Sequence, residues 1–115
     1  MNATIEITSD YSKEIINIEN IDNKDHLEYL DQDGAKNIVD ILSDGINITR
    51  FSLDHDTKAY FHLKENSYIE IKTSEGIIKI STKTLAFKKN NDNISLVYIT
   101  EDETKGSVHI KYTGV

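Results

Sequence analysis

Strict alternation of apolar and polar residues is the feature that most constrains this fold. Residues 68–73 place Ile69 and Ile71 on one side of an extended chain, and residues 77–84 repeat the pattern. A period of two indicates strands that bury one face in an antiparallel sheet. The short segment 74–76 between the two runs ends in glycine, which favours a tight turn. These residues are therefore predicted to form a β-hairpin.

The same period extends along most of the chain. We expect further strands at residues 4–8, 13–19, 46–53, 57–63, 93–100 and 107–112, separated by turns rich in Asn, Asp and Gly. Residues 36–44 admit two interpretations, because their apolar spacing also fits a helix. Their β-branched residues and the following Asp44-Gly45 turn favour a strand. No linker or repeat interrupts the pattern, so residues 1–115 are predicted to form one domain.

About eight strands with no helix to cover them favour a closed sheet. An open sheet of that size would expose two edges and one apolar face, whereas a barrel removes both problems. A two-sheet β-sandwich would also bury the apolar faces and is the alternative. We therefore predict an all-β, single-domain, closed antiparallel β-barrel of about eight strands.

Composition excludes several classes of site and partner. The 115 residues include no cysteine, so disulfides and thiolate metal sites are ruled out. The net charge of −7 disfavours nucleic acid, whose phosphates require a basic surface. The longest apolar run, residues 96–99, is far shorter than the roughly twenty residues of a membrane span. With no signal-peptide pattern at the N-terminus, we expect a cytoplasmic protein without a membrane partner.

No catalytic or cofactor-binding motif occurs in the sequence. The acidic segments 31–34 and 54–56 hold potential metal ligands, but their spacing is that of solvated turns, and neither a metal nor a cofactor is predicted. His62 and His109 both lie on faces that alternation predicts to be exposed. An enzyme would need one of these histidines to meet a carboxylate inside a pocket. We therefore do not expect an enzyme.

The barrel interior is the predicted ligand site, because a barrel of this size either fills with side chains or holds one small ligand. Arg50 is the most informative candidate. It shares a face with Ile48, and if that face is internal, the guanidinium is buried and could anchor the polar or anionic head of a ligand. If Phe51 faces inward instead, Arg50 is solvated. The candidate lumen residues are Arg50, Ile48, Phe61, Ile78, Ile80, Thr82 and Thr84.

Four short segments resemble the YwiB-like family of bacterial proteins, which are described as calycin-like or lipocalin-like β-barrels. The matching segments, within residues 36–112, are Ile48-Thr49-Arg50, Phe61, Thr73-Ser74-Glu75-Gly76 and Thr82-Lys83-Thr84-Leu85. Two features depart from the family pattern, because the turn lacks Pro and Tyr and no Gly follows Arg50. The resemblance implies a closed antiparallel barrel with a strand at residues 36–42, and it implies no particular activity.

Two functions are therefore expected. The first is a cytoplasmic barrel that binds a small, partly apolar ligand in its lumen. The alternative is a protein-interaction module that uses an outer sheet face or an edge strand, since Tyr60 and Tyr68 are predicted to be exposed and tyrosine is enriched at interfaces.

Overall fold

Antiparallel hairpins follow one another along almost the whole chain. The protein is represented by a computed structural model, which describes residues 1–114; the last residue of the predicted domain lies outside the described residues. The strands are β1 (Asn2–Ser9), β2 (Lys13–Ile18), β3 (His26–Leu30), β4 (Lys36–Ile41), β5 (Gly45–Phe51), β6 (His55–His62), β7 (Ser67–Thr73), β8 (Gly76–Lys89), β9 (Asn93–Thr100) and β10 (Lys105–Thr113).

All ten strands belong to one antiparallel sheet, in the order β2-β1-β10-β9-β8-β7-β6-β5-β4-β3. The sheet curls into a nearly closed barrel, so the predicted all-β antiparallel architecture is confirmed. The predicted number of about eight strands is wrong. The strand β3 was not predicted, because its alternation is short and lies between charged residues. Residues 36–41 form the strand β4, and the helical interpretation of this segment is wrong.

The barrel is not closed by hydrogen bonds, since β2 and β3 are the two edges of the sheet. The connection between them, residues 19–25, runs across one end of the barrel. There the amide of Ile21 donates to the carbonyl of Met1 at 2.8 Å, and the amide of Ile41 donates to the carbonyl of Asp25 at 2.8 Å. These contacts hold the two edges near each other without a ladder. The prediction of a closed barrel is therefore corrected to a nearly closed one.

The tightly packed core lies toward the end that this connection covers. It contains the inward-facing residues near the starts of β3, β5 and β9 and the end of β10. Each fully buried aliphatic side chain contributes about 1.5–3 kcal/mol to folding. Fully buried side chains include Leu27, Ile46, Ile94, Leu96 and Ile110. Residues 1–114 contain no helix of the length and apolarity that a membrane crossing requires.

The long strand β8 joins two parts of the sheet. Its residues 76–82 pair with β7, whereas its residues from Thr82 onward pair with β9, across an irregularity between Thr84 and Ala86. Residues 76–81 therefore have a ladder on one side only. The side chains of Ile77 and Ile78 are accordingly 60% and 58% exposed.

Candidate functional site

A cavity of about 230 Å³ lies inside the barrel at the end opposite the packed core. Its volume is slightly below the usual range for ligand pockets, roughly 300–1,000 Å³, which suits a small molecule. Its lining residues are buried or half-buried, so it is a recess of the barrel interior that opens to solvent at its rim. The lining residues are Ile7, Glu14, Tyr29, Asp31, Asn37, Ile48, Arg50, Thr57, Ala59, Phe61, Ile69, Tyr98 and Val108.

Aromatic rings form part of the cavity wall. Phe61 on β6 and Tyr98 on β9 stack with their ring centroids 4.3 Å apart. The ring of Tyr98 fits against the neighbouring strand only because residue 106 is glycine, as a Cβ there would lie 2.2 Å from the Cζ atom of Tyr98. Gly106 therefore fixes the position of this aromatic wall. Burial also raises the pKa of the Tyr98 hydroxyl, which keeps the wall uncharged.

An ion pair lies at the polar rim of the cavity. The Nε atom of Arg50 donates to Oδ2 of Asp31 at 2.8 Å, and its Nη2 atom donates to Oδ2 of Asp33 at 3.4 Å. Asp31 also accepts hydrogen bonds from the side chain of Asn37 at 3.0 Å and from two backbone amides of its own loop. The guanidinium of Arg50 and these donors lower the pKa of Asp31 to about 2. Asp31 is therefore a fully bonded carboxylate that balances the charge of Arg50.

Two further polar groups complete the rim. Glu14 is the second residue of β2 and Tyr29 lies near the end of β3, so they border the cavity from the two edge strands of the sheet. Burial, followed by the nearby charges of Glu14 and Asp31, raises the pKa of Tyr29 to about 12. The rim thus offers a neutral phenol and a carboxylate beside the Arg50–Asp31 pair.

Three of the predicted lumen residues, Arg50, Ile48 and Phe61, line this cavity. Of the two orientations considered for Arg50, the structure adopts the inward one. Its side chain remains 26% exposed because it reaches the rim.

The other four predicted residues do not line the cavity. Ile78 is exposed and Ile80 is only half-buried, because β9 does not pair with that part of β8. Thr82 and Thr84 line a different concavity of about 750 Å³, formed where β8 continues past the start of β7. Six of the eleven residues of that concavity are exposed, so it is a surface groove.

Sequence reasoning missed most of the lining, including Glu14, Tyr29, Ile69 and Tyr98. Alternation could have identified Glu14 as an inward-facing residue, since it shares a face of β2 with Ile16 and Ile18. No local pattern could identify the loop carboxylate of Asp31 as the partner of Arg50, because the two residues are nineteen positions apart.

The predicted exposure of His62 is wrong, whereas His109 is exposed. His62 lies in the surface groove beside a carboxylate, with Nδ1 at 3.4 Å from Oδ1 of Asp44. Its Nε2 atom lies 2.8 Å from Oδ1 of Asn47 on the adjacent strand. Both ring nitrogens of His62 therefore have polar partners within the protein.

Of the two acidic segments, residues 31–34 hold Asp31 against Arg50. At the turn that contains part of residues 54–56, the hydroxyl of Ser52 donates to the carbonyl of His55 at 2.6 Å. Within the described part of the chain, no group of three His, Cys, Asp or Glu side chains is arranged to hold a metal ion.

Comparisons with known proteins support the fold. The chain is similar to the crystal structure of the YwiB protein from Bacillus subtilis, with a TM-score of 0.58 and 15% sequence identity. The alignment covers 98% of this chain and 89% of that one. No protein-family model matches the sequence, and no curated protein is significantly similar to it. The likeness therefore establishes a YwiB-like fold.

Proposed function

We propose that the protein is a cytoplasmic, calycin-like or lipocalin-like barrel that binds a small, partly apolar ligand in its lumen. The observation that carries this proposal is the internal cavity, whose walls are apolar and whose polar groups are gathered at one rim. Such a division suits a ligand with an apolar body and a polar head. The opposite end is filled by core side chains, so the ligand would enter from the rim.

The packing of the walls supports a preformed site. Ala59 and Val108 are buried, and the stacked ring of Phe61 is only 3% exposed. A ligand would therefore replace water or empty space without displacing the core. Removing its apolar surface from water would supply most of the binding free energy, at about 25 cal/mol per Å².

A titration with 1-octanol tests the proposal. We expect chemical-shift changes in methyl NMR spectra to concentrate on Ile48, Ile69 and Val108. The substitution Ala59→Leu fills the cavity and should abolish these changes. Ala86→Leu makes the same substitution at an exposed position of β8 and should leave them intact.

Thermal melting of both variants would establish that they remain folded. Shift changes scattered over the surface, or octanol binding that survives in a folded Ala59→Leu variant, would contradict a luminal site. Absence of any octanol binding at saturating concentration would also refute it.

A second candidate function follows from the unpaired edge of β8. Tyr60 and Tyr68, which suggested an interaction surface, pack on each other with ring centroids 4.8 Å apart, and Lys79 lies 4.0 Å above the ring of Tyr68. The exposed Ile77 and Ile78 remain without a partner strand on one side. An edge of this kind can add a strand from another molecule.

The occupant we consider is a second copy of this chain. A two-fold antiparallel pairing centred on Ile78 would place the two copies of that residue opposite each other and each Ile77 beside the other copy's Lys79. This register avoids the repulsion that a pairing centred on Lys79 would create. Sedimentation velocity should then show a concentration-dependent dimer that Ile78→Lys abolishes. A monomer at every concentration would rule out this candidate.

A further inference from the structure

The cavity contains more negative than positive charge. Its charged lining residues are Glu14, Asp31 and Arg50. Arg50 is bound to Asp31 at 2.8 Å and also reaches Asp33 at 3.4 Å, so its charge is neutralised within the protein. An anionic ligand would have to compete with these carboxylates for the guanidinium. The carboxylate of Glu14 is the remaining charge at the rim; it lies near enough to Arg50 to help raise the pKa of that guanidinium, but forms no ion pair with it.

Glu14 differs from Asp31 in its hydrogen bonding. Each oxygen of Asp31 accepts hydrogen bonds from the protein, so Asp31 has little capacity for a ligand. Glu14 makes no side-chain hydrogen bond or ion pair to any residue between 1 and 114. It lies on the inward face of β2, together with Ile16 and Ile18, and its burial is intermediate. Its oxygens are therefore available to accept hydrogen bonds from a molecule in the cavity.

The surroundings of Glu14 also favour a cation. Tyr29, Phe61 and Tyr98 line the same cavity, and aromatic rings attract cations and tolerate the apolar carbons attached to them. The phenol of Tyr29 stays neutral at physiological pH, since its pKa is about 12. No lysine is among the residues that line the cavity, and its one cationic lining residue, Arg50, is already paired with Asp31.

We propose that the luminal ligand is a small amphiphile with a cationic head, such as a primary or substituted ammonium group. This inference rests on the proposed function of the cavity and specifies the chemistry of its ligand. The ammonium group donates hydrogen bonds to the carboxylate of Glu14, and the hydrocarbon part lies against Phe61 and the neighbouring aliphatic residues. Arg50 and Asp31 act as a fixed neutral pair that shapes the rim and repels neither end of such a ligand.

Three probes with the same eight-carbon chain separate this inference from the proposed function. Isothermal titration calorimetry would compare octylammonium, 1-octanol and octanoate at the same pH and ionic strength. We expect octylammonium to bind about tenfold more tightly than octanol, and octanoate to bind more weakly than octanol. The variant Glu14→Gln should lose the preference for octylammonium and keep its affinity for octanol.

Glu6→Gln is the matched control. Glu6 lies opposite Ile15 of β2 in the sheet register and pairs with Lys13 on the outer face, so this variant loses the same charge outside the cavity. The preference for octylammonium should persist in this control. If Glu6→Gln reduces it as much as Glu14→Gln does, the preference arises from the net negative charge of the protein, and the inference is wrong.

The remaining outcomes are equally distinct. Octanol binding together with equal or tighter octanoate binding would overturn the cationic head and leave the luminal function standing. If none of the three probes binds, the proposed function fails and the inference fails with it.

Discussion

The Arg50–Asp31 ion pair predicts a specific acid dependence of stability. The pKa of Asp31 is about 2 in the folded protein, against an ordinary value of 3.8, chiefly because Arg50 donates to it. A difference of this size corresponds to about 2 kcal/mol of folding free energy. The side chains of Arg50 and Asp31 are 26% and 7% exposed, so solvent screening reduces the contribution of the pair, and we expect about 1–2 kcal/mol.

The direction of the effect follows from the lowered pKa. Asp31 is protonated more easily in the unfolded chain, so its contribution is present above about pH 4 and is lost as the pH falls from 3.8 toward 2. We expect the variant Arg50→Met to be less stable than the wild type near pH 6. The difference in the free energy of unfolding between wild type and Arg50→Met should decrease by roughly 1 kcal/mol by about pH 3, where protonation of Asp31 weakens the pair in the wild type.

Urea unfolding followed by circular dichroism between pH 6 and pH 3 would measure both free energies. Carboxylates that do not interact with Arg50 have the same surroundings in both proteins, so their titration cancels in the difference. The control variant Lys36→Met removes an exposed cation that pairs with Glu28 at 2.9 Å. Its loss of unfolding free energy should be smaller than that of Arg50→Met and should depend less on pH. A constant difference between wild type and Arg50→Met over this range would refute the reasoning.

Three other predictions concern positions outside the ion pair. Gly45→Ala would place a Cβ 1.8 Å from the backbone oxygen of Phe61, and we expect chemical denaturation to show a loss of more than about 3 kcal/mol. Gly106→Ala should displace the tyrosine ring stacked on Phe61, which near-ultraviolet circular dichroism would detect as a changed aromatic signal in a folded protein. Hydrogen bonding to Asp40, and secondarily to Glu28, raises the pKa of His26, so any stability from this pair is present below about pH 6.5 and is lost as the pH rises through the folded pKa. An NMR titration should therefore show an elevated pKa for His26 that falls toward the ordinary value in Asp40→Asn.

Alternation was sufficient to predict the kind of sheet, because each strand buries one face whatever its neighbours are. At residues 36–44 the apolar spacing also fitted a helix, and the β-branched residues with the Asp44-Gly45 turn favoured the strand that the structure has at residues 36–41. Alternation failed to predict β3, where Leu27 and Tyr29 alternate with polar residues over only five positions. So short a pattern carries little information on its own. Residues 26–30 form a strand because they pair with β4.

The candidate site was only partly predictable for a related reason. Alternation assigns Ile78 and Ile80 to the same face as the buried residues, but burial also requires a strand or side chain on the other side. The pairing of β8 with β9 begins only at Thr82, so the earlier residues of β8 have no neighbouring strand on that side. Register between distant strands, like the meeting of Arg50 with a loop carboxylate, is set by tertiary packing, and no local pattern reports it.

The sheet narrows to a single point at Thr82, the one described residue of β8 with register partners on both sides, Ser67 and Thr100. Its Oγ1 atom is buried without a hydrogen bond, whereas the neighbouring hydroxyls of Ser67 and Thr84 lie 3.0 Å apart. Phe61 belongs to one half of the sheet and Tyr98 to the other. A small rotation of the two halves about Thr82 would therefore change the width of the cavity that these two rings line.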